Sequence, residues 1–462
     1  MNEQPRERLG SRLGFLLLSA GCAIGVGNVW KFPTVAGQHG GGFFVLFYFL
    51  FLILLGIPVL SMEFSLGRAA QKSPVRLYHA LTPKGSPFRA HGYAALVGNV
   101  LLMMFYTTVT AWMLIYFFYT VTGRFSSLTT AAEVSGVFEG MLADPLLLCG
   151  VLALVVALGF FVCSFSLQGG LEKVTKIMMM ALLLVMVALA VRSFFLPGAG
   201  EGLAFYLLPD VDSLLDPSHN GIIGVLTAAM NQAFFTLSLG IGSMAIFGSY
   251  LGKDRALLGE SVRVAALDTF VAVTAGLIIF PACFTYGVEV AAGPSLIFEA
   301  LPHVFINMAG GRLFGSFFFL FMSFAALSTV FAVFENILAC TRELFGWSRR
   351  RATLIDGVIL FVLSLPCVFG FNLLAGTFSL GSLTSVLDVE DYLVSNLLLP
   401  IGALVFVIFC TSKCGWGFEN YMAEANTGRG LKIKRWMYGY MKFGLPVIIA
   451  AILVLGAVTP FV

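Results

Sequence analysis

The stretch from Gly21 to Pro33 places residues that a helix tolerates poorly inside an apolar segment long enough to cross a bilayer. It reads G-C-A-I-G-V-G-N-V-W-K-F-P. Each glycine weakens a helix interior by about 0.8–1.0 kcal/mol relative to alanine, and proline removes a backbone hydrogen bond. Backbone groups freed in this way cannot face lipid. The stretch therefore predicts a span broken at 23–28 whose carbonyls and amides bind a ligand, with close helix packing through small residues as the alternative.

A second apolar segment contains a similar interruption. Residues 234–243 read F-F-T-L-S-L-G-I-G-S, so glycines and hydroxyl residues again fall near the middle of the membrane. Half-helices that meet at such breaks present free N–H groups, which favour an anion, and free C=O groups, which favour a cation. A zwitterionic amino acid bound together with Na+ fits this arrangement.

The composition places both stretches in an all-α polytopic membrane protein. Of all residues, 59% are hydrophobic and 11% are charged, whereas a soluble domain carries about 25% charged residues. No basic run is interleaved with aromatic residues, so nucleic acid is not an expected partner. The eight cysteines show no spacing typical of a disulfide framework.

Hydropathy divides the chain into eleven spans. Residues 294–308 predict an amphipathic hairpin that caps one side. The spans are expected at about 13–36, 43–66, 94–121, 145–165, 174–195, 221–250, 264–286, 313–340, 354–371, 387–410 and 441–461.

Lysine and arginine residues are sorted between alternate loops. The set of loops that includes the N-terminal tail carries 22 of the 27, and the opposite set carries only Arg124 and Arg312. Because positive residues accumulate on the cytoplasmic side, we expect a cytoplasmic N-terminus in the cell (inner or plasma) membrane. The odd number of spans then places Val462 outside the cell.

The two breaks lie in spans 1 and 6, and this offset of five predicts an inverted repeat. The expected organisation is a cytoplasmic tail (1–12), spans 1–5 as the first repeat (13–196) and an extracellular connector (197–219). Spans 6–10 form the inverted repeat (220–411), followed by a cytoplasmic loop and span 11 (412–462).

Several motifs point to a known family, because together they are far more specific than one glycine pair. The sequence resembles the neurotransmitter:sodium symporter family, in its bacterial eleven-span branch. The resemblance implies a LeuT-type fold and Na+-coupled uptake of amino acids or their relatives. The motifs are Arg12-Leu13-Gly14, residues 25–33, Gly40-Gly41-Gly42, Gly56-Ile57-Pro58, Met62-Glu63, Gly67-Arg68 and residues 232–238.

The resemblance also implies a substrate site. Backbone amides of Ala23, Gly25 and Gly27 would bind the carboxylate, and Tyr106 would hydrogen-bond it and cover the pocket. Tyr106 could also be a core aromatic residue with any nearby partner. The lining is apolar, so we expect a neutral hydrophobic or aromatic L-amino acid. The further implied contacts are Val26, Leu102, Phe235, Thr236, Ser238, Ile241, Thr329 and Val333.

Two sodium sites are implied in the same way. The first would use Ala23, Asn28, Thr236 and Asp268, all of them oxygen ligands that suit a hard cation. We expect the Asp268 carboxylate to make a bound chloride unnecessary, with a protonated structural aspartate as the alternative. The second site would use the carbonyls of Gly21 and Ile24 together with Ala325, Ser328 and Thr329 of span 8. A buried Ser–Thr pair can also bond back to its own helix.

Charged pairs are implied as gates on both sides of the pocket. On the outside, Lys31 and Asp391 match the family's Arg–Asp pair, although lysine supplies a point charge instead of a bidentate fork. On the inside, Arg6 and Glu343 close the path, with Tyr250 nearby. Such pairs contribute about 0–1 kcal/mol when exposed, which suits gates that open in each cycle.

The expected mechanism is alternating access around a site at the midplane of the membrane. We do not expect the protein to be an enzyme. A proton-coupled transporter of the same fold, and an amino-acid sensor or channel that moves no substrate, are the alternatives. The residues do not determine which amino acid is carried, the sodium stoichiometry, proton antiport, or whether the protein is a monomer or a weak homodimer.

Overall fold

The computed structural model describes residues 9–217, 221–288, 295–377, 381 and 383–458. Within these residues, nine helices are long and apolar enough to cross a membrane, and one bent pair forms a tenth crossing. A second pair of shorter helices occupies the position of span 6. Spans 2 to 5 and 7 to 11 are Gly42–Ala70, Arg89–Thr122, Pro145–Ser164, Leu167–Ser193, Leu257–Tyr286, Gly311–Phe345, Arg349–Phe369, Val386–Thr411 and Met437–Val458.

Span 1 is broken where the glycines predicted. Its first half, Arg12–Ala23, ends at Ile24 in an extended conformation, and its second half, Gly27–Gln38, leaves at an angle of 57°. The amide N–H of Gly25 does not close the helix on Gly21 but donates to the Asn28 side chain at 3.1 Å. The predicted break in span 1 is confirmed. The carbonyl of Gly21 is therefore left free for another partner.

Span 6 is broken between Gly221–Thr236 and Ser243–Ser249. Ser238, Gly240 and Gly242 have φ values of 50°, 101° and 71°, a left-handed conformation that glycine adopts at little cost. A Cβ at residue 240 would also lie 2.0 Å from the Leu399 carbonyl oxygen, so only glycine lets the loop approach span 10.

Proline explains most of the wide helical turns in the spans. Proline lacks an N–H and its ring displaces the carbonyl four residues earlier. One extra residue in the preceding turn relieves this conflict as a π-bulge. Within the described part of the chain, five π-helical segments end two residues before a proline: Gly27–Lys31, Leu52–Gly56, Leu296–Ala300, Leu393–Leu398 and Tyr440–Gly444.

Span 8 lies at the centre of the bundle, since 83% of its apolar window is buried, and span 11 lies at the edge, with 28% buried. Hydropathy set the starts of several spans too late, because their first turns carry polar residues. The predicted hairpin at 294–308 is wrong in its described part, which is one helix, Leu296–Asn307. The other short helices are Pro74–Leu81, Ala131–Leu142, Ala199–Leu207, Val211–Leu215 and Phe418–Ala425.

Candidate functional site

We name the two sides of the bundle after one residue from each half of span 1, the Arg12 side and the Lys31 side. The breaks in spans 1 and 6 meet between these two sides. Gln232 of span 6 connects the two spans there, because its side chain donates to the Gly27 carbonyl at 3.0 Å. Gln232 belongs to a motif quoted from the sequence, but no role was predicted for it. The following groups surround this meeting point.

One cluster of oxygens lies between the break in span 1 and span 8. The Thr329 hydroxyl lies 3.2 Å from the carbonyl oxygens of both Gly21 and Ile24. The Ser328 hydroxyl lies 3.3 Å from the Ile24 oxygen and 2.8 Å from that of Ala325. The structure therefore brings all five residues predicted for the second sodium site together. Three carbonyls and two hydroxyls are ligands that a hard cation prefers.

A second cluster joins spans 1, 6 and 7. The Asn28 side-chain nitrogen donates to Asp268 Oδ1 at 2.8 Å and to Thr236 Oγ1 at 3.0 Å. Thr236 in turn donates to Asp268 Oδ2 at 2.8 Å, and all three side chains are fully buried. Tyr48 also points its hydroxyl at Asp268 Oδ2, at 3.4 Å, a contact that the sequence did not suggest.

Three of the four residues predicted for the first sodium site thus touch one another. Ala23, the fourth, lines the adjoining cavity instead. A cation that replaced the Asn28 amino group would meet the oxygens of Thr236 and Asp268. Turning the amide over would add Asn28 Oδ1 as a further ligand.

A cavity of about 20 Å³ lies beside both clusters. This is room for about one water molecule. No ionised side chain is among its nine lining residues. Eight of them were predicted and Leu399 of span 10 was missed. The wall consists of Ala23, Gly25, Gly27, Leu102, Tyr106, Phe235, Ser238, Thr329 and Leu399.

Tyr106 covers the break in span 1. Its hydroxyl oxygen accepts a hydrogen bond from the Val26 amide at 2.8 Å. A Cβ at Gly25 would lie 2.1 Å from this hydroxyl and 2.6 Å from Thr329 Oγ1. Residue 25 must therefore be glycine for the tyrosine, the break and span 8 to meet.

Four predicted substrate contacts lie outside the cavity wall in this conformation. Val26 contributes only its backbone amide, which donates to the Tyr106 hydroxyl, and the Thr236 hydroxyl faces Asp268. The carbonyl of Ile241 accepts from Asn99 at 2.7 Å. Val333 is fully buried one turn beyond Thr329, on the same face of span 8. Their roles as substrate contacts stay predictions.

Glu63 of span 2 supports the break in span 6. Its carboxylate accepts the Gly240 amide at 2.6 Å and faces the amides of Met244 and Ala245. A carboxylate at the start of a half-helix stabilises free N–H groups. The sequence singled out Glu63 as part of the Met62-Glu63 motif, and the structure places its carboxylate at the break in span 6.

The predicted gates lie on opposite sides of the cavity. On the Lys31 side, the ammonium is 3.2 Å from Asp391 and 4.0 Å from the centre of the Phe235 ring. On the Arg12 side, Glu343 accepts the Ser73 amide and hydroxyl at 3.0 and 2.8 Å. Tyr250 donates to Glu335 at 3.0 Å. Arg6 lies outside the described residues, so its pairing with Glu343 stays a prediction.

Two contacts at the start of span 1 were missed. Arg12 pairs with Glu260 of span 7 at 2.9 Å. Glu172 of span 5 accepts the Gly10 amide at 2.7 Å and the Ser11 hydroxyl at 2.8 Å. The motif at 12–14 was the available signal, since a Cβ at Gly14 would lie 1.9 Å from Glu172 Oε1.

Comparison with known proteins identifies the family. The model of the sodium:neurotransmitter symporter family matches residues 6–135 and 137–461. The chain belongs to this family. A relative in this family, the uncharacterized sodium-dependent transporter YhdH of Bacillus subtilis (strain 168), is 34% identical over 413 residues, which cover 89% of each protein.

Two further relatives place the chain within the symporter family. The bovine sodium- and chloride-dependent GABA transporter 2 is 28% identical over 407 residues, 76% of this chain and 65% of the relative. The crystal structure of MhsT in complex with L-phenylalanine matches with a TM-score of 0.87 at 36% identity and covers 98% of this chain and 100% of MhsT. The protein is thus a multi-pass membrane transporter with the LeuT-type fold, and not an enzyme.

Proposed function

We propose that this symporter couples the uptake of a neutral hydrophobic or aromatic L-amino acid to sodium. The observation that carries the proposal is a cavity without ionised side chains that adjoins two buried clusters of oxygen ligands. An apolar wall favours an apolar side chain, and the amides at the break in span 1 favour a carboxylate. The bound L-phenylalanine of MhsT, a relative 36% identical, supports this substrate class.

Each oxygen cluster binds one sodium ion in this proposal. The cluster at Ser328 and Thr329 is neutral, whereas the cluster at Asp268 includes a carboxylate. That carboxylate supplies the negative charge beside sodium, so transport needs no chloride. The substrate carboxylate joins the Asp268 cluster, and this shared contact couples the two ligands because it stabilises one conformer over another.

Substrate entry requires movement, because the cavity of about 20 Å³ is smaller than any amino acid. Tyr106 and Phe235 cover it in the present conformation. In the proposed cycle the Lys31 side opens to the outside and the Arg12 side to the cytoplasm, as the loop charges predict. Spans 1, 2, 6 and 7 move as a bundle against spans 3, 4, 8 and 9, and each group takes two spans from each of the repeats 13–196 and 220–411.

Uptake into proteoliposomes tests the proposal. A panel of the twenty amino acids is offered under an inward sodium gradient, and concentrative uptake of Leu, Phe, Tyr or Trp is the expected result. Replacing sodium with choline under a pH gradient identifies the proton-coupled alternative if uptake persists. Binding without accumulation identifies the sensor or channel alternative.

The double variant Ser328→Ala/Thr329→Ala tests the neutral cation site. We expect sodium-dependent substrate binding to be lost, because two of the five oxygen ligands are removed. Ser323→Ala is the matched control, since its buried hydroxyl in the same span only bonds back to Phe319 at 2.7 Å. Equal sodium dependence in both variants would reject the assignment.

Replacing the anion tests the role of Asp268. With gluconate in place of chloride, the wild type should retain uptake. The variant Asp268→Asn should show no uptake in gluconate, either because uptake is lost altogether or because it now requires chloride. Strict chloride dependence of the wild type contradicts the charge assigned to Asp268, while leaving sodium coupling itself intact.

A further inference from the structure

A cavity of about 510 Å³ lies on the Arg12 side, between the end of span 10 and the start of span 11. Span 10 ends at Thr411 and span 11 begins at Met437, so the cavity opens at the level of the membrane surface. It is remote from the transport site and shares no lining residue with it. The side chains that matter are Lys413, Trp416, Asn420, Arg435 and Tyr438.

The charge of this cavity is positive. Lys413 and Arg435 contribute two cations, and Glu419, 3.3 Å from Arg435, is the acid in the wall. Lys442 is a further cation near the cavity, since its ammonium donates at 2.9 Å to the hydroxyl of Tyr438, a residue of the wall. Arg435, which lines the cavity, is also the last residue of a basic segment of the sequence. This segment contains Arg429, Lys432, Lys434 and Arg435.

The wall is held by specific contacts. The amides of Trp416 and Gly417 donate to the Phe409 carbonyl at 2.8 and 3.3 Å, and so fix the turn after span 10. Asn426 binds both the amide and the carbonyl of Ile433, at 2.7 and 2.9 Å. The cavity is therefore formed before any ligand arrives, and binding does not have to order the loop.

Span 11 begins at the cavity, and large apolar side chains at its start and along its length are exposed. Trp436 and Phe443 are 78% and 64% exposed, and Val447, one turn farther along span 11, is 68% exposed. Trp prefers the headgroup level and the two apolar residues prefer the hydrocarbon. A ligand that suits both parts has an anionic polar end and aliphatic chains.

We propose that this cavity binds the headgroup of an anionic phospholipid, with its phosphodiester between Lys413 and Arg435 and its acyl chains along span 11. Arginine and lysine are the side chains that bind phosphate oxygens in proteins. Basic pockets between membrane helices at this depth select anionic lipids in the same way. The proposal does not depend on the substrate or on sodium coupling.

Native mass spectrometry of the purified full-length protein tests the proposal. Phosphatidylglycerol and phosphatidylcholine with the same acyl chains are the probes, and we expect tight adducts with the first lipid only. The variant Lys413→Gln/Arg435→Gln should bind phosphatidylglycerol about thirtyfold more weakly, since each basic residue near an anionic surface contributes about 1 kcal/mol. Both side chains are exposed, so the variant should melt at the wild-type temperature in phosphatidylcholine.

The matched control is Lys84→Gln/Arg350→Gln, which removes two exposed cations from other loops of the same charged set. Equal loss in both double variants would show general surface attraction and overturn the proposal. A tenfold molar excess of inorganic phosphate should not displace the lipid. Full displacement by phosphate overturns the lipid assignment in favour of a simple anion site.

Discussion

The two sides of the transport cavity are closed by different kinds of contact. On the Lys31 side, the pair Lys31–Asp391 is about one-third exposed on both side chains. Beyond it, aromatic rings pack together, with Trp30 and Trp112 at 6.3 and 5.8 Å from Phe298. This side is therefore closed by apolar packing and one weak ion pair.

On the Arg12 side the contacts centre on buried carboxylates. Glu260, which binds Arg12, is 1% exposed, and Glu335, which binds Arg349 at 2.5 Å, is 2% exposed. A buried charge that loses its partner is costly, whereas an exposed pair is screened by water. The two ion pairs join spans 1 and 7 and spans 8 and 9, so each stabilises one moving part of the proposed cycle, whereas Tyr250 and Ser73 donate across the two parts to Glu335 and Glu343. Opening the Arg12 side removes these donors from carboxylates, which costs more than breaking the exposed pair at Lys31.

The largest effect is expected at Glu335. Its replacement by alanine removes the carboxylate that faces Arg349, whose side chain is 14% exposed, and removing one partner of a largely buried pair costs about 3–5 kcal/mol. We expect a clearly lowered melting temperature of the purified protein. Arg350→Ala, a change of an exposed neighbour, is the control and should melt like the wild type. If Glu335→Ala melts with the control, the buried-charge account of the Arg12 side is wrong.

A smaller effect is expected at Glu172, which holds the first residues of span 1. Glu172→Gln keeps the size but removes the charge, and hydrogen bonds to charged groups contribute about 1.5–3 kcal/mol. The start of span 1 should then detach more often. We expect Cys22, fully buried in the wild type, to be alkylated about tenfold faster by a maleimide.

The labelling is measured on a background without Cys149 and Cys414, the two cysteines that are not buried. Glu133→Gln serves as the control, because Glu133 lies in the helix Ala131–Leu142, away from span 1. An unchanged rate at Cys22 would show that Glu172 does not hold this side closed.

The sequence predicted the two breaks well because their cause is local. Gly25, Gly240 and Gly242 are visible in the chain, and the penalty for glycine in a membrane helix does not depend on distant residues. The two oxygen clusters needed the family resemblance. Ser328 and Thr329 share a helix face, but only the fold brings that face to the Gly21 carbonyl.

The missed residues have in common that their partners are far away in the chain. Leu399 reaches the cavity because a π-bulge before Pro400 and the bare backbone of Gly240 bring spans 6 and 10 together. Glu172 and Glu260 bind residues that lie 162 and 248 positions away. Hydropathy and charge counts carry no information on such pairs.

A substitution of Leu399 changes the cavity wall but leaves the closing contacts of the Arg12 side and the Lys31 side in place. Leu399→Ala enlarges the wall, so uptake of Trp relative to Leu should rise about tenfold, at the lower end of what one or two methylenes contribute to selectivity. Ile401→Ala is the control, since Ile401 is 42% exposed on the same span. An unchanged Trp-to-Leu ratio in Leu399→Ala, with uptake intact, would remove Leu399 from the substrate wall.

The smallest effect is expected at Lys31. An exposed ion pair contributes about 0–1 kcal/mol and a cation over an aromatic ring about 0.5–1 kcal/mol. Lys31→Gln should therefore change the apparent affinity for the amino acid by less than about tenfold, and 0.5 M salt should reduce the difference from the wild type because exposed charges are screened. Asp391→Asn should behave alike, since it breaks the same pair. A loss of uptake as complete as that of a cation-site variant would show that the Lys31 side is closed by charge after all, and the contrast between the two sides would then disappear.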